Sequence, residues 1–401
     1  IFTSLWRMIV SRRNLLEWET SAQSELKKSG IGAYILNMWF ALLSGIALLL
    51  LSDGITGMVV GLFWLFSPVM LCALSLPAKQ AQEISEADRE YLKGCSAEIY
   101  GYFDTLCTAA DNYLPPDNFQ EQPPVGIAHR TSPTNIGLAL LSELAAADLG
   151  IDKDGKCFVL IEKMLTSLEK MPKVMGHFCN WYDTRTLRPL EPAYISTVDS
   201  GNLCASLTSL KYGLIEHGKI ELSKRVDALL EGMDMSVLFD RDRGLFRIGI
   251  DVNKNAPSPA YDLMSSESRL TSYFAVAKGS VPRSHWRRLS RAMLRLDGYQ
   301  GMASWTGTMF EYLMPELFLP LSRDSLLYES AKYCMYAQKK RRSPTGVWGI
   351  SESAFFSLDP ALNYRYKAHG CGALALKRGQ DAELVISPYS SFLAMLAEPK
   401  D

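Results

Sequence analysis

The sequence predicts an all-α protein, with an apolar helical hairpin at the front and a larger helical globular unit behind it. Three observations lead there. Two long apolar runs lie back to back near the start, apolar residues then recur at helical spacing from Glu83 onward, and strand signals are few.

The first run, 31–51, reads IGAYILNMWFALLSGIALLLL, about the twenty residues that a helix needs to cross the hydrocarbon layer. Asn37 and Ser44 are its notably polar members. A second run goes from Ile55 to about Leu76, and Ser52, Asp53 and Gly54 supply the turn between the two. Arg7, Arg12, Arg13, Lys27 and Lys28 precede the hairpin, and Lys79, Arg89 and Lys93 follow it. The tight turn carries no basic residue, so both flanks are expected on the cytoplasmic side of the membrane. The expected division is a cytoplasmic juxtamembrane segment over 1–30, two transmembrane helices over 31–78, and one domain over 83–401 facing the cytoplasm. A hairpin buried in a soluble core is the alternative, but neither run shows a charged face. The first residue is Ile1, so the chain reads as a piece of a longer one.

Behind the hairpin, Ser85 to Thr108 has helical spacing. Ser132 and Pro133 read as a helix cap with proline at the first helical position, and that helix is expected to end at Gly150. Further helices are expected to start near Lys156, Asp199, Leu222, Met264, Trp305, Ser325, Ser351 and Asp381. The best strand signal is 238–251, where Asp242, Arg243 and Gly244 would turn a hairpin. Many helices with long loops point to a closed ring of helical hairpins, the (α/α)6 barrel, with function in the loops at one end. A bundle or solenoid fits the helix count as well, although no repeat of fixed period is present.

Composition narrows the chemistry. With 42 basic and 43 acidic residues the net charge is -1, so no nucleic-acid partner is expected. The eight cysteines form no C-x-x-C pair and read as free thiols of a reducing compartment. The five histidines lie far apart, and no phosphate-binding loop, H-E-x-x-H or G-x-S-x-G occurs, so neither cofactor nor metal is expected.

Five loop segments set carboxylates among aromatics and amides, the mixture that recognises sugars by stacking and bidentate hydrogen bonds. They contain Trp181, Asp183 and Arg185; Asp199; Asp262, Glu267 and Arg269; Trp305 and Glu311; and Trp348 and Glu352. Each has a purely structural alternative. Asp199 would only cap a helix, Arg185 would only pair with Asp183, and Glu311 would be a core carboxylate pinned by a buried arginine. Glu267 and Glu352 share a Ser-Glu-Ser context at an expected helix start, where amides and serines hold a carboxylate. Two such groups meet the need of glycosidic cleavage for an acid and a second carboxylate.

The segments YLPPDNFQE (113–121), AHRTSPTNIG (128–137), NWYDTR (180–185), VDSGNL (198–203), SESRL (266–270) and WGISES (348–353) resemble the central region of cyclic β-1,2-glucan synthases. The likeness extends to RRNLLEWE at 12–19, ahead of the apolar hairpin. It implies a large inner-membrane enzyme in which a glucosyltransferase region extends linear β-1,2-glucan from UDP-glucose, the central domain closes the chain, and a phosphorylase-like region trims it. The central domain of that family resembles glucoamylase-like and β-1,2-glucanase (α/α)6 barrels. The implied substrate is then linear β-1,2-glucan, and the implied partners are the glucosyltransferase and phosphorylase-like domains of the same full-length protein. Exchanging one β linkage for another means net retention without nucleotide or metal. Glu267 and Glu352 are expected as acid/base and nucleophile, in either order, with Glu311 in reserve. Trp181, Asp183, Arg185, Asp199, Asp262, Arg269, Trp305 and Trp348 are expected to bind substrate. An endo-β-1,2-glucanase, or a module that only holds glycan, are the alternatives.

Overall fold

Main-chain groups that find partners locally make helices at the expected places, and those claimed by distant side chains do not. The computed structural model describes residues 9–10, 30–75 and 84–398. Most of the expected juxtamembrane segment, with the 12–19 motif, lies outside the described residues, as does Lys79. The chain divides into two units, 1–88 and 89–401.

In the first unit the run 31–51 is not one helix. It forms α1 (Ile31–Asn37) and α2 (Trp39–Leu51), bent by 70° at Met38. After the turn at 52–54 comes α3 (Ile55–Leu74), the one described helix that by itself is long and apolar enough to cross a membrane. The bent pair α1–α2 makes a second span only if it is taken as one element. Helices α2 and α3 meet through small residues, since a methyl group on Gly45 would lie 2.9 Å from the Gly61 carbonyl oxygen. Their outer faces are apolar, with Leu50, Leu51, Ile55 and Phe66 exposed.

The larger unit is mostly helical. It comprises α4 (Glu86–Leu106), α5 (Pro133–Asp148), α6 (Lys156–Lys170), α7 (Thr197–Glu216), α8 (Ile220–Gly232), α9 (Arg269–Ala277), α10 (Ser284–Arg288), α11 (Met309–Leu313), α12 (Leu326–Lys340) and α13 (Pro388–Ala397). The Ser132 hydroxyl accepts from Asn135 N at 3.1 Å with Pro133 first in the helix, as the sequence indicates. The Phe239–Asp240 and Leu245–Arg247 strands pair antiparallel around Gly244, whose φ of 67° suits glycine. Strand is nonetheless more widespread than expected, as two- to four-residue pieces in six small sheets.

Four expected helix starts are corrected, the first being the helix expected near Trp305, which begins at Met309 after the Thr308 cap. The helix placed near Met264 begins at Arg269, because the amides of Met264 and Ser290 are spent on the carbonyls of Ser290 and Asp262. No helix starts at Ser351. The Gln338 side chain takes both Ile350 N and Ile350 O, and the Ser351 hydroxyl caps Phe310 N at 3.1 Å, so 353–354 instead pair with 366–367. Near Asp381 only a single 3₁₀ turn, Gln380–Ala382, forms, and the helix waits for Pro388 at its first position.

At the centre of the unit α7 packs on α5, α8 and α9. Two glycines permit the close approach. A methyl on Gly137 would lie 2.7 Å from Ser206 Oγ, and one on Gly201 would lie 1.8 Å from Thr271 Oγ1 and 2.8 Å from Thr271 Cα. Leu140, Ile161, Leu203, Leu207 and Leu210 are fully buried in the core built around these helices. A second core joins α11, α12 and α13 through Met309, Leu313, Tyr333 and Ala394. Glu267 precedes the helix that covers the first core, and Glu352 follows a residue, Ile350, that is buried in the second.

Gly201→Ala should therefore lower stability by about 1–3 kcal/mol, because the Thr271 backbone itself must move. Gly94→Ala, at an exposed position of α4 with nothing within 4 Å, should raise it by about 0.5–1 kcal/mol. Urea unfolding of the two variants reads both signs.

Candidate active site

Burial without partners is what distinguishes a reactive carboxylate from a structural one, and the acidic residues of this unit fall on both sides of that line. A cavity of about 590 Å³ opens between the two cores. Its walls include Thr197 and Val198 from the start of α7, Tyr261 and Asp262, Glu267, Trp305, Glu311 and Glu352. Five of the residues singled out from the sequence thus meet in one cavity, although they are spread over 91 positions of chain (262 to 352).

Glu267 stands two residues ahead of α9. Among the described residues no side-chain hydrogen bond holds its carboxyl. Burial pushes its pKa well above the ordinary glutamate value of 4.5, and the negative charges of Glu352, Glu311 and Asp199 push it further. Glu352 stands at the foot of the 353–354 strand rather than at a helix start, which corrects the expectation. It accepts a very short hydrogen bond from the Tyr366 hydroxyl. Burial raises its pKa too, the Tyr366 donor offsets this, and the charge of Glu311 adds to it. The serines beside these glutamates serve other groups. Ser266 Oγ accepts from Ser268 N at 3.3 Å, and Ser351 Oγ lies 3.0 Å from the Tyr389 hydroxyl, which itself donates to the Glu352 carbonyl at 3.0 Å.

Glu311 is a different kind of carboxylate. It is buried, and its oxygens accept from Ser304 Oγ (2.9 Å), Thr306 Oγ1 (2.7 Å), and the amides of Trp305 (3.2 Å) and Thr308 (3.1 Å). Thr308 and Glu311 form a reciprocal capping box at the head of α11. Among the described residues no arginine reaches the Glu311 carboxylate. The buried arginine pairs elsewhere, for Arg269 Nη2 contacts Glu316 Oε1 at 2.5 Å and donates to Tyr312 O at 2.7 Å. Both side chains are about 96% buried, and burial pushes Glu316 up to about 7 even against the guanidinium. Arg269 is consumed by the fold and lies behind the cavity wall.

The remaining candidates are distributed around the unit. Asp199 sits in the first turn of α7, where its amide is capped by Ser196 Oγ at 3.1 Å. Its carboxyl accepts from Thr134 Oγ1 at 2.6 Å, and burial raises its pKa against that bond. Trp305 keeps 49% of its surface at the cavity mouth, where its ring is open to a ligand. Trp181 lines a separate cavity of about 520 Å³. Asp183 accepts from the amides of Arg185 (3.0 Å) and Thr186 (2.8 Å) and pairs with Arg185 at 3.6 Å, which is the structural alternative for both. Trp348 packs on the second core beneath the Lys339 ammonium. Tyr366 and Tyr389 carry no motif and are not among the residues that the sequence singles out, whereas Tyr261 belongs to the Asp262 segment and lines the cavity. The cluster of tyrosines near 364–366 was the one available signal.

No family model matches the chain. It is 31% identical, over its whole length, to the cyclic β-(1,2)-glucan synthase NdvB of Rhizobium meliloti, and spans 19% of that protein. The chain resembles solved structures at TM-scores of 0.58 to 0.62. Those are an endo-β-1,2-glucanase from Chitinophaga pinensis (15% identity, 79% of this chain and 82% of that one), an endo-β-1,2-glucanase from Talaromyces funiculosus (14%, 79% and 76%), and a glucoamylase-like protein from Bacteroides fragilis (TM-score 0.59, 17%, 80% and 82%). The chain is thus homologous along its whole length to one segment of a cyclic β-(1,2)-glucan synthase, and its fold is glucoamylase-like.

A carboxyl whose folded pKa is raised contributes stability below its unfolded value of 4.5 that is lost as pH rises through the folded value. Glu267→Gln removes that loss and relieves Glu352. Its melting temperature relative to the unmodified chain should therefore climb between pH 5 and pH 8. A gap that shrinks over this range would contradict the raised pair.

Proposed function

We propose that this chain, which is homologous over its whole length to a segment of a cyclic β-(1,2)-glucan synthase, is a transglycosylase that closes linear β-1,2-glucan into rings with net retention. The observation that carries this reading is the single cavity holding two carboxyls from different loops, both pushed above the ordinary range, beside the open ring of Trp305. Their environments differ in a way that supports distinct roles. Glu352 receives the Tyr366 hydroxyl, which favours its ionised form, and it is the nucleophile. Glu267 has burial and neighbouring negative charge without a donor, so it keeps a proton and is the acid/base.

In the first step a carboxylate oxygen of Glu352 bonds to the anomeric carbon while Glu267 gives its proton to the departing glycosidic oxygen. The reducing-end piece leaves as a shorter linear chain. In the second step the 2-hydroxyl at the non-reducing end of the same glucan gives its proton back to Glu267 and displaces Glu352. One β-1,2 bond is broken and one is made, so no energy source is needed. Asp262 and Trp305 belong to the substrate-binding walls, and Glu311 organises the loop that carries Trp305. The helices of the larger unit close as an (α/α)6 ring in this reading. Helices α1–α3 form a membrane hairpin with the basic flanks on the cytoplasmic side, and the glucosyltransferase and phosphorylase-like domains belong to the same full-length protein.

The likeness of fold to endo-β-1,2-glucanases favours a second reading, in which water takes the place of the sugar hydroxyl. Incubation with long linear β-1,2-glucan separates them. Cyclisation gives rings one water lighter than linear chains of the same length, with reducing ends constant. Hydrolysis makes reducing ends rise, and a module that only holds glycan gives neither change. Glu267→Gln and Glu352→Gln should each lower the rate by roughly 10²–10⁴-fold.

Tyr366→Phe removes the donor that favours ionised Glu352. Its pKa then rises, so the acid limb of the pH–rate profile should move to higher pH. The turnover should drop about tenfold or more, the worth of a hydrogen bond to a charged group. An unmoved acid limb would contradict the role of Tyr366.

A further inference from the structure

A ring-closing enzyme must hold two distant stretches of one chain at once, whereas a hydrolase needs a single groove. Outside the catalytic cavity the larger unit carries two more cavities, which share Arg130 in their walls. One, of about 520 Å³, is lined by Trp181, Asn180, Glu191, Tyr194, Asp251 and Arg130. The other, of about 440 Å³, is lined by Asn118, Gln120, Asn363, Tyr364, Tyr366 and again Arg130.

Arg130 is the joint between them. Its guanidinium lies 5.6 Å from the centre of the Trp181 ring and is fixed by Asp117 Oδ2 through Nε (3.1 Å) and Nη2 (2.8 Å). The Tyr364 hydroxyl donates to the same carboxylate oxygen at 3.1 Å. Each cavity also has one structural link to the catalytic wall. Tyr366, in the wall of the second, donates to Glu352. Tyr194 and Asp251, in the wall of the first, pair across a two-stranded ladder. Thr197 and Ile248, three residues further along each side and about 10 Å away, line the catalytic cavity. The walls of both cavities are thus tied to the catalytic wall, one through Tyr366 and the other through the strand ladder. The lining has the chemistry for glucosyl units, with an aromatic face, two carboxylates and amides, and Asn180 Oδ1 is buried without a hydrogen-bond partner among the described residues.

We infer that the Trp181 cavity and the Tyr364 cavity, joined at Arg130, form a second β-1,2-glucan-binding track that holds the far arm of the chain while its end returns to the catalytic pair. The inference rests on the cyclising reading for its purpose, but the binding it requires can be measured without turnover.

The test uses the full chain in detergent micelles with Glu267→Gln to prevent turnover, and compares binding of long linear β-1,2-glucan with binding of the disaccharide sophorose. Trp181→Ala should weaken the long glucan at least about tenfold, the loss expected when an aromatic anchor is truncated, and leave sophorose unchanged. Trp181→Phe should recover most of the loss. Arg130→Lys keeps the charge beside Asp117 but withdraws the planar guanidinium from both cavities, and should produce the same selective loss if Trp181→Ala does not fold. Equal losses for both ligands in Arg130→Lys, or none for either, would overturn the second track. If the long glucan is selectively weakened but the unmodified chain makes no rings, the track stands and the cyclising reading falls.

Discussion

The guanidinium of Arg269, shut between α9 and α11, ties the two walls of the cavity together. It is the first residue of α9, two positions after Glu267, and it binds Glu316 together with the carbonyl of Tyr312, next to Glu311. Thr271, on the same helix, donates to Thr197 O at 3.1 Å and packs on Gly201 with no room for a side chain. Glu267 therefore sits at the end of a helix that is fixed to α7 on one side and to the Glu311 segment on the other. Leaving one partner of such a buried pair alone costs about 3–5 kcal/mol. A substrate-binding arginine would have to be available to solvent, and this one cannot be without dismantling the site.

Given that frame, the chemistry follows from unequal treatment of similar groups. Glu311 accepts four or more hydrogen bonds and is locked as part of a helix cap. Glu352 has one phenolic donor, and Glu267 has burial and like charge alone. Three of the four carboxyls around the cavity thus span fully satisfied, partly satisfied and unsatisfied, and in the proposed mechanism the last two carry the nucleophile and the proton.

How much of this was legible in the sequence depended on whether the deciding interaction was local. The caps at Ser132 and Ser325, the turn at 52–54 and the Gly244 hairpin are set by neighbours within a few residues, and all appear where the sequence places them. The failures lie where distant groups intervene. Gln338 seizes the Ile350 main chain and turns a helix start into a strand beside Glu352. The break at Met38 divides a run that composition alone reads as one span. The shared Ser-Glu-Ser context singles out Glu267 and Glu352, and both line one cavity, although the serines serve other groups. Arg269 was misread because its residue type suits a sugar site while its burial does not. Tyr366 was missed because only the 353–354 and 366–367 pairing brings it to Glu352.

The claim at the centre of this account is that Glu352 becomes covalently bonded to glucan while Glu267 manages the proton. A slow activated donor, β-sophorosyl fluoride with a second fluorine at C5 of the reacting sugar, would form the first bond and stall before the second. After acid quench and proteolysis, mass spectrometry should find the sugar on the peptide that contains Glu352, and Tyr366→Phe should slow its appearance. A label on Glu267 would exchange the two roles, and the absence of any glycosyl-enzyme while the donor is consumed would contradict double displacement.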